Sequence, residues 1–407
     1  MQITLADIHA AHAALRDVII ETPIVPDDTL TKQLGVSVFH KAESLQRSGS
    51  FKVRGAYNAI RALSDAERTR GVVTNSAGNH AQGVALAAQL YQVPATIVMP
   101  EHAPLTKVTA TRAYGAEVVL SGATFDDAGV AARRIQAERN LTFIHAFNDR
   151  NVITGQATIG IELMAQLARA SVVVVPIGGG GLISGIATAL HALGSPARII
   201  GVQAAGCDAV RPSLAAGQPV RVDAVRTIAD GIAVKQPGDI TLAIIKARVH
   251  TVVTVDDDQI AAAITHAARA LHLVVEGAGA AGLAALLAGV VPLQPDDVVC
   301  NVLCGGNIDP NFLTRVIEQV LVKQGRYLML RVLVADRPGN LAPLLRVVAD
   351  SGANVIDIFH RRATWLVPID RVGIELILEV RDSSHGIQVV DTLEQHGYVV
   401  TQEGMWK

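Results

Sequence analysis

Val172-Val173-Val174-Val175-Pro176-Ile177-Gly178-Gly179-Gly180-Gly181-Leu182-Ile183-Ser184-Gly185 reads as a strand that runs through a glycine turn into a helix. A continuous β-branched run without polar alternation belongs to a parallel strand covered on both faces. Four glycines in a row can wrap a phosphate with backbone donors at the start of a helix. The same outline marks dinucleotide folds, in which G-x-G-x-x-G opens the helix. No suitably placed acid for a ribose stands in the next ~20 residues, which weakens the dinucleotide reading. No G-K-[ST] follows, so the loop is not that of a nucleotide triphosphatase.

The alternation extends in both directions. Further strands are expected at Val36–Lys41, Gly71–Asn75, Ala95–Met99, Ala116–Leu120, Thr142–His145, Ile199–Gln203, Val249–Val255 and Val298–Cys304, with Ala- and Leu-rich helices between most of them. That order implies an α/β protein. It holds more strands than one sheet comfortably takes, so two parallel-sheet lobes are expected. The pattern changes after Gln324-Gly325. Strand Tyr327–Ala335, the turn Asp336-Arg337-Pro338-Gly339, helix Leu341–Ser351, strands Ala353–Arg361 and Arg371–Arg381, helix Ser384–His396 and strand Tyr398–Gln402 spell βαββαβ, the ferredoxin-like order. The expected division is therefore 1–323 and 324–407, with a smaller lobe at about 48–145 inserted in the larger lobe of the first part.

With 407 residues, half of them hydrophobic and 18% charged, the chain can bury a large core and is not a disordered one. A net charge of -2, no long charge run and 3% aromatics leave no footprint for nucleic acid or a membrane surface. Cys207, Cys300 and Cys304 form neither a disulfide framework nor a zinc spacing. Met1–Ile20 reads as an amphipathic helix, not a signal peptide. The most apolar window, Leu271–Leu293, holds Glu276 and Pro292 and reads as a strand, a turn and a packed helix. By elimination, a soluble cytoplasmic protein is expected.

Ser48-Gly49-Ser50-Phe51-Lys52-Val53-Arg54-Gly55-Ala56 opens a helix, with Ser50 as its expected N-cap. Lys52 then lies in the first turn, where the helix dipole disfavours a cation and makes its proton easier to lose. A neutral amine is what a Schiff base with a carbonyl cofactor requires. An isolated Ser-x-Lys is more often a surface lysine; the other loops shift the balance. Thr74-Asn75-Ser76-Ala77-Gly78-Asn79-His80 joins a strand to the helix Ala81–Leu90 and offers backbone N–H groups to an anion such as a substrate carboxylate. Capping is the commoner role for an asparagine at such a junction. Cys304, in Val302-Leu303-Cys304-Gly305-Gly306-Asn307, is either a small buried residue or a thiol beside a heteroaromatic nitrogen. Glu276 either caps a helix or faces the site, the two readings standing even. Most of these places fall at carboxyl ends of strands, where open α/β sheets bind ligands. An amine, a carboxylate nest, a phosphate nest and a pyridine partner describe pyridoxal phosphate with an amino acid.

Ser50-Phe51-Lys52-x-Arg54-Gly55-Ala56, Ser76-Ala77-Gly78-Asn79-His80-Ala81-Gln82-Gly83 and the four-glycine loop, in this order, resemble the threonine ammonia-lyase (threonine dehydratase) family over residues ~1–320. The tail, through Asp336-Arg337-Pro338-Gly339-Asn340-Leu341, resembles an ACT domain. The resemblance implies a tryptophan-synthase-β-like (fold type II) enzyme that deaminates L-threonine to 2-oxobutanoate and ammonia, and L-serine to pyruvate, in amino-acid metabolism. It implies pyridoxal 5'-phosphate held covalently by Lys52, which also removes the substrate α-proton. Phe51 would lie against the ring, Asn79 would bond its 3′-oxygen, and Gly178, Gly179, Gly180, Gly181 and Leu182 would bind its phosphate. Cys304 would meet the ring nitrogen as a neutral partner, and Ser76, Ala77, Gly78, Asn79 and His80 would hold the substrate carboxylate. It further implies an amino-acid effector at the ACT domain and a homodimer or homotetramer.

Serine racemases resemble the chain too, but usually carry a second serine where Ala77 stands, so dehydration is favoured over racemisation. Metal-dependent relatives place acidic residues where Gln203 and Ala209 stand here, near Cys207, and no metal is expected, although Asp208 lies one position away. The competing readings are a serine racemase or dehydratase, a β-replacement enzyme such as a cysteine synthase, and a non-catalytic amino-acid sensor on the same fold.

Overall fold

The structure is a computed structural model that describes residues 3–223, 225–361 and 368–402. It packs as two compact units, Met1–Asp309 and Pro310–Lys407. The strands of the first are β1 (Ile24–Pro26), β2 (Ser37–Lys41), β3 (Val72–Asn75), β4 (Ala95–Met99), β5 (Glu117–Leu120), β6 (Thr142–Phe143), β7 (Val172–Pro176), β8 (Arg198–Ala204), β9 (Thr251–Val255) and β10 (Val298–Val302). They form a six-stranded sheet in the order β1-β2-β10-β7-β8-β9 and a four-stranded one in the order β5-β4-β3-β6. Every pairing is parallel except the antiparallel edge β1–β2. The smaller sheet is thus spliced between β2 and β7 of the larger.

The opening valines account for the centre of the larger sheet. Val172 to Val175 are all fully buried. Val173 and Val175 pack on Ile159 and Leu163 of helix Arg150–Gln166 and on Ile183 and Ile186 of helix Gly181–Ala192. Val174 faces the opposite side, close enough that a Cβ on Gly282 of helix Gly277–Leu287 would stand 3.3 Å from it. Burying each such side chain stabilises the fold by roughly 1.5–3 kcal/mol. A strand with helices on both faces cannot alternate polar and apolar, and the sequence does not.

Four local expectations fail for identifiable reasons. Ser50 does not cap the lysine helix: the helix runs Lys52–Arg61 with Phe51 at the N-cap position and no side-chain cap bond. Ser50 is instead extended and bridges to Gly305. Leu271–Glu276 is not a strand. Helix Asp257–His266 continues as a π-turn to Leu271, His272 closes it in the left-handed region at φ 56°, and Leu273 N–H bonds back to Ala267. Too little chain remains before Gly277 to pair with a sheet. β6 stops at Phe143 because His145 turns to accept the Phe147 and Asn148 N–H groups at 3.2 and 2.9 Å. The N-terminal helix is confined to Leu5–Leu15, set by a Thr4–Asp7 capping box.

The second unit opens with helix Pro310–Lys323, so the division falls ahead of Gln324-Gly325. It continues as β11 (Tyr327–Ala335), helix Leu341–Asp350, β12 (Asn354–Arg361), β13 (Arg371–Glu379), helix Ser383–Gln395 and β14 (Val399–Gln402). The sheet order β12-β13-β11-β14 is antiparallel throughout, as a ferredoxin-like unit requires. Leu328, Leu330, Val332 and Val334 point to the helices at period two.

Candidate active site

A cavity of about 1180 Å³ opens in the first unit where the carboxyl ends of β3 and β7 face one another. Phe51, Lys52, Ser76 to His80, Gly178 to Leu182, Glu276 and Cys304 all line it. Five separate stretches of chain therefore converge on one space.

Lys52 begins its helix and turns its Nζ to the Ala146 carbonyl, 3.1 Å away, over the Phe51 ring at 5.2 Å. Burial pushes its amine down to about 8, against the opposing pull of Cys304 and Glu276. Roughly a tenth of the amine is then unprotonated at pH 7, a few hundred times the share of a free lysine, and that neutral fraction is what a nucleophilic or basic amine needs. The neighbouring histidines add no charge. Burial first and Lys52 second hold His80 down to about 3, and its Nε2 donates to the Ile144 carbonyl at 3.1 Å. His145 is pushed down to about 4, again chiefly by burial.

The glycine loop is a cradle that side chains would fill. A Cβ on Gly179 would stand 2.3 Å from the Phe147 ring, and one on Gly181 2.9 Å from the Phe147 backbone. Gly180 sits at φ +94°, a conformation that glycine adopts without strain. It is the N-cap of helix Gly181–Ala192 and offers no side-chain cap, so the first N–H groups of that helix stay free for an anion. Thr241 Oγ1 donates to the Gly179 carbonyl at 2.7 Å and holds the loop's acceptors away from the nest. On the opposite wall Gly78 caps helix Asn79–Tyr91, likewise without a side-chain cap bond, and its own N–H meets Ser76 Oγ at 3.2 Å. Asn79 and His80 are thus the first helical residues, not the caps. Cys304 donates its thiol to the Ala278 carbonyl at 3.5 Å, and burial, with Glu276 adding to it, keeps that thiol protonated. A depressed lysine, two helix starts without side-chain caps and a neutral thiol in one cavity fit pyridoxal phosphate. They define an enzyme that works on amino acids through a carbonyl cofactor.

The family profile described as "Pyridoxal-phosphate dependent enzyme" matches residues 15–305. L-threonine ammonia-lyase of Thermotoga maritima is 47% identical over 398 residues, 98% of this chain and 99% of that protein. The processed form of threonine deaminase isoform 2 from Solanum lycopersicum superposes with a TM-score of 0.74 at 40% identity, over 77% of this chain and 91% of that one. Maize serine racemase gives the same TM-score at 35% identity, over 79% and 99%. The chain belongs to the threonine ammonia-lyase family of pyridoxal-phosphate-dependent enzymes.

Sequence reasoning left several site residues without a role. Glu276 faces the site: its Oε1 accepts from Asn79 Nδ2. Burial, reinforced by Asp230, raises its carboxyl to about 7. Asn307 bonds Asn79 Oδ1 at 2.8 Å. Arg54, two residues beyond Lys52, is fully buried between Glu43 (2.8 and 2.9 Å) and Glu162 (2.5 and 2.9 Å), and Lys41 closes the cluster on Glu162 at 2.6 Å. The buried Glu43 and Arg54 carried a weak signal, since charges in apolar surroundings need partners, but nothing local named them. In the segment 201–210, Asp208 pairs with Arg211 at 2.5 Å and Gln203 Oε1 accepts the Val210 N–H at 2.9 Å. Among the described residues, no group of three or more His, Cys, Asp or Glu is arranged to hold a metal ion.

Proposed function

We propose that this chain eliminates water across Cα and Cβ of L-threonine, yielding 2-oxobutanoate and ammonia, and converts L-serine to pyruvate in the same site. The observation that carries this reading is Lys52: an amine lowered to about 8, at a helix start, in one cavity with the uncapped glycine loop. When bound, pyridoxal phosphate supplies an electron sink for the substrate α-carbon. Lys52 would hold the cofactor covalently, and once free its Nζ would accept the substrate α-proton. Phe51 would flank its ring, and Gly178 to Leu182 would direct N–H groups to its phosphate. Asn79 would direct an amide N–H to its 3′-oxygen, and the Ser76–His80 backbone would receive the substrate carboxylate. Cys304 would meet the ring nitrogen as a neutral partner, so the cofactor would draw less charge from the substrate α-carbon, which would favour loss of the β-hydroxyl. The released enamine takes back one water as it gives up ammonia. Ala77 offers no hydroxyl to reprotonate the opposite face, which favours dehydration over racemisation.

The second unit, by its βαββαβ order, is an ACT-like module that binds an amino-acid effector, in a homodimer or homotetramer. Among the described residues no helix is long and apolar enough to cross a membrane, and Cys207, Cys300 and Cys304 are free thiols, which suits a cytoplasmic setting. The test is 2-oxo acid release from threonine and from serine, with and without isoleucine and valine, by the full chain and by a chain ending at Asp309. Release from neither substrate overturns the catalytic reading. Kinetics that no amino acid alters, together with no binding outside the active site, overturn the regulatory one.

A further inference from the structure

Asn79 is held at both ends of its side-chain amide. The Ser48 carbonyl can only accept, and it takes a hydrogen from Asn307 Nδ2 at 2.7 Å. That contact identifies the Asn307 amino end, whose other hydrogen goes to Asn79 Oδ1 at 2.8 Å. At the far end Asn79 Nδ2 donates to Glu276 Oε1. The two contacts fix which end of the Asn79 amide is oxygen and which is nitrogen, the assignment a hydrogen-bond network decides. One Nδ2 hydrogen then remains for the cavity that Asn79 lines.

The backbone is shaped around this string. A Cβ on Gly305 would stand 2.3 Å from Glu276 Oε1 and 3.0 Å from Asn79 Nδ2. A Cβ on Gly49, itself at φ +70°, would stand 2.3 Å from Asn307 Oδ1. Glycine at both places leaves room for the two flanking groups. Glu276 is 5% exposed, opens its helix without making a cap bond, and spends its carboxyl on Asn79. Its charge-disfavouring burial is compatible with this task, because an Oε atom accepts in either protonation state.

We propose that Glu276 is a positioning residue that locks the Asn79 amide with its nitrogen toward the cofactor's 3′-oxygen. The inference rests on the proposed role of Asn79. Without Glu276 only the Asn307 contact on Oδ1 holds the amide, which can then swing its Nδ2 out of line with that oxygen and lose one hydrogen bond to the cofactor. The loss falls on holding and polarising the cofactor, not on Lys52.

The experiment measures cofactor affinity of the reconstituted enzyme and the visible absorption of bound pyridoxal phosphate in Asn79→Ala, Glu276→Ala, Glu276→Gln and the Asn79→Ala/Glu276→Ala pair. Loss of one such bond is expected to weaken affinity by roughly tenfold in each single alanine variant, with a shift between the cofactor's absorption bands. Glutamine keeps an acceptor for Asn79 Nδ2, and Glu276→Gln is expected to stay within about threefold of the parent. The pair is expected to be no weaker than Asn79→Ala alone, since Glu276 acts through Asn79. Unchanged affinity and spectrum in Asn79→Ala remove the Asn79 role itself. A loss in Asn79→Ala with none in Glu276→Ala, or losses that add in the pair, overturn the lock while leaving the Asn79 role standing. Should Glu276→Ala fail to fold, Glu276→Gln decides: a tenfold loss there overturns the lock, and parent-like affinity upholds it.

Discussion

Lys52 lies between two polar networks of opposite character. Behind it, Arg54, Glu43, Glu162 and Lys41 form a sealed cluster of two cations and two anions, each at most 2% exposed. In front of it, Ser48, Asn307, Asn79 and Glu276 form a string with one ionisable group, at the wall of the cavity. The cluster ties the lysine helix to helix Arg150–Gln166 and to β2 and its following turn, and its charges balance. Burial opposes charge on Glu162, yet the Arg54 and Lys41 contacts hold its carboxyl below the ordinary carboxylate range. The string carries no compensating cation of its own, and Glu276 is pushed the other way. A paired buried charge holds elements in place, whereas an uncompensated one next to a ligand site bears on chemistry.

The contrast can be broken at the residue between the networks. Lys52→Ala is expected to cut turnover by at least roughly a thousandfold and to abolish covalent cofactor, with thermal unfolding of the apoenzyme no earlier than in the parent. Retained turnover sinks the assignment.

Arg54→Leu is expected to destabilise by about 3–5 kcal/mol, because it leaves Glu43 buried with only the Thr22 hydroxyl and no cation, and Glu162 with Lys41 alone. Denaturant unfolding measures it. A change under about 1 kcal/mol would mean the cluster contributes little and that the two networks do not differ as described.

Cofactor incorporation into the apoenzyme sharpens the front side. Only the unprotonated Lys52 amine attacks a carbonyl, so the rate is expected to rise as pH climbs through about 8 and to level above it. A rate that is flat across that window shows that burial does not depress the amine.

The smallest effect is expected at Cys304. Serine keeps a neutral donor of similar size and is expected to change elimination by less than about threefold, whereas aspartate, which favours a protonated ring nitrogen, is expected to slow elimination and give a new absorbing species. An aspartate variant indistinguishable from the parent would mean that Cys304 does not reach the ring.

Much of this arrangement was legible beforehand because it is local. The valine run before Gly178, the uncapped glycines after it and the position of Lys52 at a helix start are properties of a few consecutive residues. The βαββαβ tail shows for the same reason: Leu328 to Val334 alternate in sequence as they alternate in burial. Ile24–Pro26 escaped notice, since three residues ending in proline carry no period and gain strand character only from the β2 edge they lie on. Leu271–Glu276 misled in the opposite direction, its apolar residues filling a loop after a π-turn.

The sequence by itself determined most of the strands and helices, where uncapped glycine turns open helices, and which lysine the fold places at a helix start. These follow from backbone sterics, side-chain period and terminal N–H groups, all acting over a handful of residues. Only the tertiary structure decided that Glu276 faces Asn79 across 197 residues, that Asn307 reaches Ser48 across 259, and that Arg54 finds Glu162 across 108. A hydrogen bond depends on distance and direction to within a fraction of an ångström, and those are set by how the sheets and helices pack. No local pattern in the chain encodes them.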